Sequence, residues 1–123
     1  MINVDHFKSV NDRFGHRGGD SVLCALCELI DSLIRRTDQL FRVGGEEFCL
    51  ISTMIEQEYV NALAEKLREA IASHEFVGVG KVTVSIGIAC FNDNDTHQSI
   101  YSRADAALYS AKNNGRNCTV LSK

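Results

Sequence analysis

Apolar and polar residues recur along this chain with two different periods, which predict alternating helices and strands. Apolar positions spaced three or four apart are typical of helices that bury one face. The helices predicted in this way cover residues 5–14, 21–35, 56–73 and 97–112. Short apolar runs rich in β-branched and aromatic residues, bounded by polar residues, are typical of strands. The predicted strands cover residues 1–4, 38–43, 48–52, 81–91 and 118–121.

The ends of the first two helices are predicted from single residues. Asp5 is placed to cap the first helix, and Gly15 to end it. Residues 15–20 are then a loop, and Asp20 lies where an N-cap of the second helix would be. The strand at 48–52 is apolar on both faces, which is typical of an interior strand.

The resulting order is β-α-α-β-β-α-β-α-β, with a hairpin between the second and third strands. Interleaved helices and strands with a hairpin predict an α/β (α+β) fold. Its sheet is mixed or mainly antiparallel, with the helices packed on it. The 123 residues are enough for one domain, and no linker or repeat divides them.

Composition excludes two function classes. No apolar run approaches the ~20 residues of a membrane span, so we expect no membrane contact by this domain. The net charge of −3 gives no general basic surface, so we expect no nucleic-acid partner. Any phosphate compound would have to be held by local cations and metal.

The five cysteines predict a reducing compartment. Their number is odd and their neighbours are largely apolar, which argues against a disulfide framework. Cys24 and Cys27 form a lone C-x-x-C pair within a helical pattern. A zinc or redox site is one interpretation, and we favour core packing because no second pair accompanies it.

The stretch at 42–48, Arg-Val-Gly-Gly-Glu-Glu-Phe, carries the strongest chemical signal. Glycine at the tip of a hairpin supplies positive φ and lets a ligand approach the backbone. Two adjacent carboxylates repel each other unless a cation lies between them. A divalent ion shared with substrate phosphates would relieve that repulsion. A solvated Gly-Gly turn with two surface glutamates is the alternative that this stretch alone leaves open.

The chain resembles the GGDEF family, the diguanylate cyclases, in the common GGEEF form of its signature. Four blocks carry the resemblance in the expected order and spacing. They are Asp5 to Asp20 with its Asp-His-Phe-Lys, Asn-Asp, Gly-His and Gly-Asp pairs; Gly44 to Phe48; Ser85 to Ala89; and Ala104 to Asn117.

The resemblance implies a nucleotidyl-cyclase palm, a ferredoxin-like sheet that joins two GTP molecules into cyclic di-GMP with loss of two pyrophosphates. Metal ions, Mg²⁺ or Mn²⁺, would lower the pKa of the attacking hydroxyl and offset the triphosphate charge. By resemblance, Glu46 and the carbonyl of Val4 are metal ligands. Glu47 lies beside the reacting hydroxyl as a base or second metal contact.

Substrate contacts are also implied by the resemblance. Asn11 and Asp20 match the positions that read guanine, and a carboxylate that accepts from guanine N–H groups favours GTP over ATP. The phosphate contacts would come from six residues: Phe7 and Lys8, Gly44 and Gly45, and Lys112 and Arg116. A solvated surface cation is the alternative for each basic residue, as a helix cap is for Asp20.

Two further positions bear on regulation and activity. Arg35 and Asp38 match the family's R-x-x-D site, where bound cyclic di-GMP inhibits the enzyme. The family's first metal-binding aspartate is replaced by Asn3, whose neutral oxygen should hold Mg²⁺ less well. The two functions this leaves are an active cyclase and an impaired domain that binds GTP or cyclic di-GMP as a sensor.

The resemblance also implies a setting. The first strand is short, so we expect the chain to be an N-terminally truncated domain, 1–123, of a longer protein with an upstream sensor domain. Catalysis would require a homodimer, and the compartment would be the bacterial cytoplasm, in a protein that is itself free or membrane-bound.

Overall fold

A computed structural model of the protein describes residues 1–53 and 56–123. Three helices pack on one five-stranded sheet. The strands are β1 (Ile2–Val4), β2 (Gln39–Arg42), β3 (Glu47–Ile51), β4 (Val84–Ile88) and β5 (Thr119–Leu121). The helices are α1 (Phe7–Leu33), α2 (Gln57–Ser73) and α3 (His97–Asn113).

The sheet has the strand order β2-β3-β1-β4-β5. Neighbouring strands are antiparallel except β4 and β5, which are parallel. The predicted fold class, a mixed and mainly antiparallel sheet with helices packed on it, is confirmed. β3 is an interior strand, as its apolar residues on both faces predict.

The two faces of the sheet carry different helices. Ile86 belongs to a buried cluster with residues of α1 and α2, such as Leu26 and Leu67. The neighbouring Gly87 points to the other face, because side chains alternate along a strand. There a Cβ on Gly87 would lie 2.2 Å from the backbone nitrogen of Leu108, so glycine lets α3 approach the sheet closely.

The predicted loop is wrong for residues 16–20, which are helical. The prediction that Gly15 ends the first helical segment is confirmed, because α1 (Phe7–Leu33) consists of two helical segments that meet at a kink, where Gly15 has a non-helical φ of 76° and ψ of 171°. Asp20 is therefore inside a helix rather than at an N-cap. Gly18 and Gly19, which favour a loop in the sequence, have a packing role in the helix. A Cβ on Gly19, for example, would lie 1.9 Å from the Asn11 side-chain oxygen.

Three other expectations are corrected. Asp5 does not cap α1: it is buried in the turn that follows β1, and His6, at φ 55°, is the N-cap residue without a side-chain bond. Cys24 is exposed rather than part of the core, although it and the other four cysteines are free thiols. Tyr59 lies at a position where the helical period of residues 56–73 predicts a core contact, but it is exposed, and the Arg35 guanidinium carbon lies 5.0 Å from the centroid of its ring.

Within the described ranges, no helix combines the length and the apolar character needed to cross a bilayer.

Candidate functional site

The strand directions bring the predicted site to one edge of the sheet. β1 is antiparallel to both β3 and β4, and β4 is parallel to β5. The end of β1 therefore lies beside the starts of β3, β4 and β5. The turn between α3 and β5 reaches the same edge, and so does the β2–β3 connection with its Gly-Gly-Glu-Glu sequence.

Asn3 and Glu47 are direct partners across β1 and β3. Opposite residues of antiparallel strands project from the same face with Cβ atoms about 5 Å apart. One residue further along, the Val4 amide donates a hydrogen bond of 3.1 Å to the Glu46 carbonyl. All four residues of the predicted metal site are thus brought together, with Glu46 in the bend and Glu47 at the start of the strand.

The signature turn is closed by its own backbone and by one arginine. The amides of Val43 and Gly44 donate to the Glu47 carbonyl at 2.9 and 3.2 Å. The Arg42 guanidinium donates to the carbonyls of Gly44 and Gly45 at 3.1 and 2.7 Å. These bonds fix the turn that presents both glutamates.

Neither signature glycine has the positive φ that we expected of a hairpin tip. The connection is longer than a two-residue turn, so it closes without left-handed residues. Because glycine has no side chain, these two residues instead leave the backbone of the turn uncovered. Nothing lies within 4 Å of a Cβ built on Gly45, so the backbone there is open to a ligand.

Glu47 acts electrostatically on the neighbouring helix. Its carboxylate is the largest of the causes that raise the pKa of Tyr101 on α3; burial and Asp105 add to it. A concentration of negative charge at this edge is what a divalent cation neutralises. In residues 1–53 and 56–123, no three His, Cys, Asp or Glu side chains meet as a metal cluster. The oxygen donors present are two carboxylates, one amide and one backbone carbonyl.

The proposed guanine readers lie on both sides of the α1 kink. The Asn11 side-chain oxygen is buried between Phe7 and Gly19 and has no hydrogen-bond partner in the described structure. A buried amide oxygen without a donor is rare in proteins, because it loses its bond to water without replacement. This oxygen is suited to accept from a ligand N–H. Asp20, directly after Gly19, is exposed.

The N-terminus of α1 suits an anion. Phe7 begins the helix, His6 makes no side-chain cap, and the first turn contains no acid. Free N–H groups and the helix dipole favour a negative group at such an end. Lys8, in this first turn, is exposed to solvent.

Two further predicted phosphate-binding cations lie at the C-terminal end of α3, on the same edge of the sheet. Lys112 is in the last turn of α3 and is half-buried, whereas Arg116 is exposed in the turn that follows. Arg116 and Asn117 have φ values of 66° and 46°, in the left-handed region. Consecutive non-glycine residues in that region persist only where surrounding contacts hold them.

Arg35 and Asp38 form a pair away from this edge, after α1. The Arg35 amide donates to Asp38 at 2.8 Å, and its guanidinium donates to Asp38 at 3.3 Å and to the Thr53 carbonyl at 3.1 Å. Burial acts to raise the pKa of Asp38, but hydrogen bonds from Arg35 and Ser52 outweigh it, so the pKa lies below its ordinary value. The Arg35 Nε is buried without a partner in the described structure.

Two residues at this edge escaped the sequence interpretation. Arg42 was noted only as part of the signature stretch, and its bonds to the turn carbonyls depend on chain reversal. Asp5 was assigned to a cap, but its carboxylate accepts hydrogen bonds from Thr83, Ser85 and the Asn117 amide. Those donors are distant in sequence, so no local pattern could reveal them.

Comparison with known proteins agrees with this geometry. The family model described as "Diguanylate cyclase, GGDEF domain" matches residues 1–118. Diguanylate cyclase DgcM of Escherichia coli K12 is 43% identical over 117 residues, which are 95% of this chain and 28% of the relative. Diguanylate cyclase A of Treponema denticola is 41% identical over 127 residues, with 100% of this chain and 34% of the relative covered.

Solved structures resemble the whole fold. The active GGEEF domain of a diguanylate cyclase from Vibrio cholerae superposes with a TM-score of 0.93 at 38% identity, covering 99% of this chain and 80% of that one. The GGDEF domain of DgcB from Caulobacter crescentus, in complex with c-di-GMP, gives 0.92 at 32% identity, with 98% and 74% covered.

The fold and the edge site define a GGDEF-type α/β domain. The chain belongs to the GGDEF family of diguanylate cyclase domains. It spans about a third or less of the length of the two curated relatives described above.

Proposed function

We propose that this domain condenses two GTP molecules into cyclic di-GMP with release of two pyrophosphates. The 3′-hydroxyl oxygen of one GTP forms a bond to the α-phosphorus of the other, and the bond to pyrophosphate breaks. The observation that carries the proposal is the strand register that places Asn3 opposite Glu47 and ties Val4 to Glu46. This register brings the four residues that offer hard oxygen donors next to one another, which supports a shared metal ion.

Mg²⁺ or Mn²⁺ fits this donor set. Glu46, Glu47, the Asn3 amide oxygen and the Val4 carbonyl are the oxygen ligands that such ions take, and substrate phosphates would supply the remaining charge. The bound ion would polarise the α-phosphate and offset the triphosphate charge. Glu47 takes the proton of the attacking hydroxyl or provides a second metal contact.

The other residues bind and orient GTP. The Asn11 oxygen, which has no partner among the described residues, and the exposed Asp20 carboxylate take guanine N–H groups. Phosphate oxygens are met by the free amides at Phe7 and the open backbone of Gly44 and Gly45. Three cations complete the contacts: Lys8, Lys112 and Arg116.

Two reacting GTP molecules require two domains. One domain carries a single set of these residues, so a homodimer with facing sites completes the reaction. Cyclic di-GMP would inhibit it at Arg35 and Asp38. The support for that site is the buried Arg35 Nε, which lacks a partner in the described residues and can donate to a phosphate.

A binding module is the second candidate, and Asn3 is the observation that favours it. Because the proposed metal site has one carboxylate fewer, the domain can bind GTP or cyclic di-GMP and still form cyclic di-GMP too slowly for catalysis to be its function. Calorimetry with GTP and Mg²⁺, followed by product analysis of the same mixture, separates the two functions. Heat of binding together with cyclic di-GMP supports the cyclase, whereas binding without product supports the module.

A further inference from the structure

Asp5 is a buried carboxylate with an unusual set of partners. Its side chain accepts hydrogen bonds from the Thr83 hydroxyl at 2.8 Å, the Ser85 hydroxyl at 2.7 Å and the Asn117 amide at 3.0 Å. The residue is 5% exposed. In residues 1–53 and 56–123, it forms no salt bridge. Three neutral donors therefore hold this side chain, and two of them fix it to β4 and to the residue before it.

The third donor belongs to the turn that carries Arg116. Gly115, Arg116 and Asn117 all have positive φ, so this turn is not a conformation that the chain would keep unaided. Asp5 holds the Asn117 amide on one side. On the other side the Arg68 guanidinium donates to the Asn117 side-chain oxygen at 3.0 Å.

Asp5 also lies next to β1, the strand that carries Asn3 and Val4 of the proposed metal site. Asp5 follows Val4 directly, and its own amide donates to the Thr83 carbonyl at 2.9 Å, while Val4 is tied to Glu46. One residue thus connects the strand of the metal ligands to the turn of a phosphate-binding cation. The two groups must contact the same triphosphate, so their separation matters for binding.

We propose that Asp5 is a positioning residue, which holds the turn of Arg116 against the end of β1 so that this cation meets the β- and γ-phosphates of metal-bound GTP. This inference rests on the proposed function. Asp5 acts through hydrogen bonds and touches neither the metal nor the substrate, which separates it from the residues at the edge.

The amide exchange of Asn117, measured by NMR without nucleotide, tests the contact itself. Asp5→Ala removes the acceptor, so the Asn117 amide is expected to exchange at least tenfold faster than in the native protein. Asp5→Asn should keep it protected, because its amide oxygen accepts from Thr83 and Asn117 while its NH₂ donates to the Ser85 oxygen. Unchanged exchange in Asp5→Ala, or lost protection in Asp5→Asn, would overturn the proposal.

Calorimetry with Mg²⁺ and α,β-methylene GTP tests the consequence, because this analogue cannot be cleaved at the reacting bond. We expect Asp5→Ala to weaken binding about tenfold, and to leave the affinity for GMP, which lacks the outer phosphates, within about twofold. In an Arg116→Ala background, Asp5→Ala should add nothing, since both changes remove one contact. Independent effects of the two changes, or an equal loss for GMP, would contradict the role.

Ser85→Ala is the matched control. It removes a hydrogen bond from the same carboxylate without touching the turn, so it should lower the melting temperature and leave both affinities unchanged. If Asp5→Ala does not fold, Asp5→Ser, whose short hydroxyl cannot reach all three donors, is expected to give the same selective loss. A native protein that binds the analogue but forms no cyclic di-GMP refutes the cyclase activity alone. An Asn117 amide that exchanges at the native rate in Asp5→Ala refutes the role of Asp5 alone.

Discussion

Asn3 faces Glu47 across β1 and β3, with both side chains on the face of the sheet that α3 covers. An amide therefore stands where the family resemblance implies a carboxylate, directly opposite the second glutamate of the signature. The pairing places Asn3 beside the proposed metal ligand Glu47. Position 3 is therefore where the proposed metal site can be tested by adding a charge.

Asn3→Asp should strengthen metal binding. The change adds a negative charge beside Glu46 and Glu47, and a like charge is favourable only where a cation is shared. We expect the Mg²⁺ concentration for half-maximal turnover to fall by about tenfold, which corresponds to about 1.4 kcal/mol. A magnesium titration of cyclic di-GMP formation measures it.

Asn94→Asp is the control for this change, since it adds the same charge in the exposed turn after β4, at the other end of that strand. It should leave the magnesium titration unaltered. If Asn3→Asp behaves like Asn94→Asp, the amide at position 3 does not limit metal binding.

Asn11→Ala should separate nucleotide binding from stability. The Asn11 oxygen has no partner in the described structure, so its removal breaks no bond of the fold and should cost under about 1 kcal/mol. The affinity for GTP should fall about tenfold, whereas affinity for ATP should not fall. Calorimetry and thermal melting give the two quantities.

Asn61→Ala, on α2, provides the comparison, because it deletes the same group on a helix remote from the signature turn. It should not change GTP affinity. Equal losses of GTP affinity in the two variants would exclude a guanine contact at Asn11.

Gly87→Ala should destabilise the fold severely. The new Cβ would lie 2.2 Å from the Leu108 nitrogen and 2.4 Å from the Ala104 carbonyl oxygen, and neither backbone atom can rotate away. We expect a loss of about 3 kcal/mol in the free energy of unfolding. Gly45→Ala, which meets nothing within 4 Å, should change it by less than about 0.5 kcal/mol. Urea unfolding measures the free energy of unfolding of both variants. If the two losses are similar, close packing of α3 against Gly87 is not the cause.

Asp95 should make stability depend on acid pH. Hydrogen bonds from Arg103, the Asn92 amide and Ser99 lower the pKa of Asp95 from its ordinary value of 3.8 to about 2. The ionised form is favoured in the fold, so its contribution is complete above the ordinary pKa and is lost as the pH falls toward about 2.

Asp95→Asn tests this dependence. It should lower the melting temperature at pH 6, and the difference from the native protein should shrink below pH ~4 and vanish below pH ~2. Asp93→Asn, which removes an exposed charge in the same turn, is the matched control at pH 6 and should leave the melting temperature there nearly unchanged. A melting difference that stays constant from pH 6 to pH 2 would disprove the ionic contribution.

Apolar periodicity predicted most of the fold because the strands and helices bury the apolar residues that recur with their period. The strand at 84–88 is buried at every position, and the hairpin at 42–48 forms where glycines interrupt two apolar runs. The sequence predicts the break of α1 at Gly15 correctly but extends it wrongly to residue 20, because Gly18 and Gly19 also resemble a loop. Gly19 is explained instead by contact with Asn11, which only the folded chain creates.

The site was predicted from motif order, and the structure supplies the reasons for some of its parts. The register of β1 and β3 brings Asn3 to Glu47 from 44 positions away. Asp5 is separated from Asn117 by 112 positions, so no spacing rule reaches it. An acidic side chain just before a helix is typical of an N-cap. In the fold, the Asp5 carboxylate instead accepts hydrogen bonds from two hydroxyl groups at β4 and from the Asn117 amide.

The most direct test is the product formed from GTP and Mg²⁺ by the purified protein, resolved by mass spectrometry, with its oligomeric state measured on the same sample. We expect cyclic di-GMP and pyrophosphate in a ratio of one to two, dependent on the dimer and abolished by Glu46→Ala together with Glu47→Ala. A folded dimer that binds GTP and yields no cyclic di-GMP, even as the Asn3→Asp variant, would contradict it.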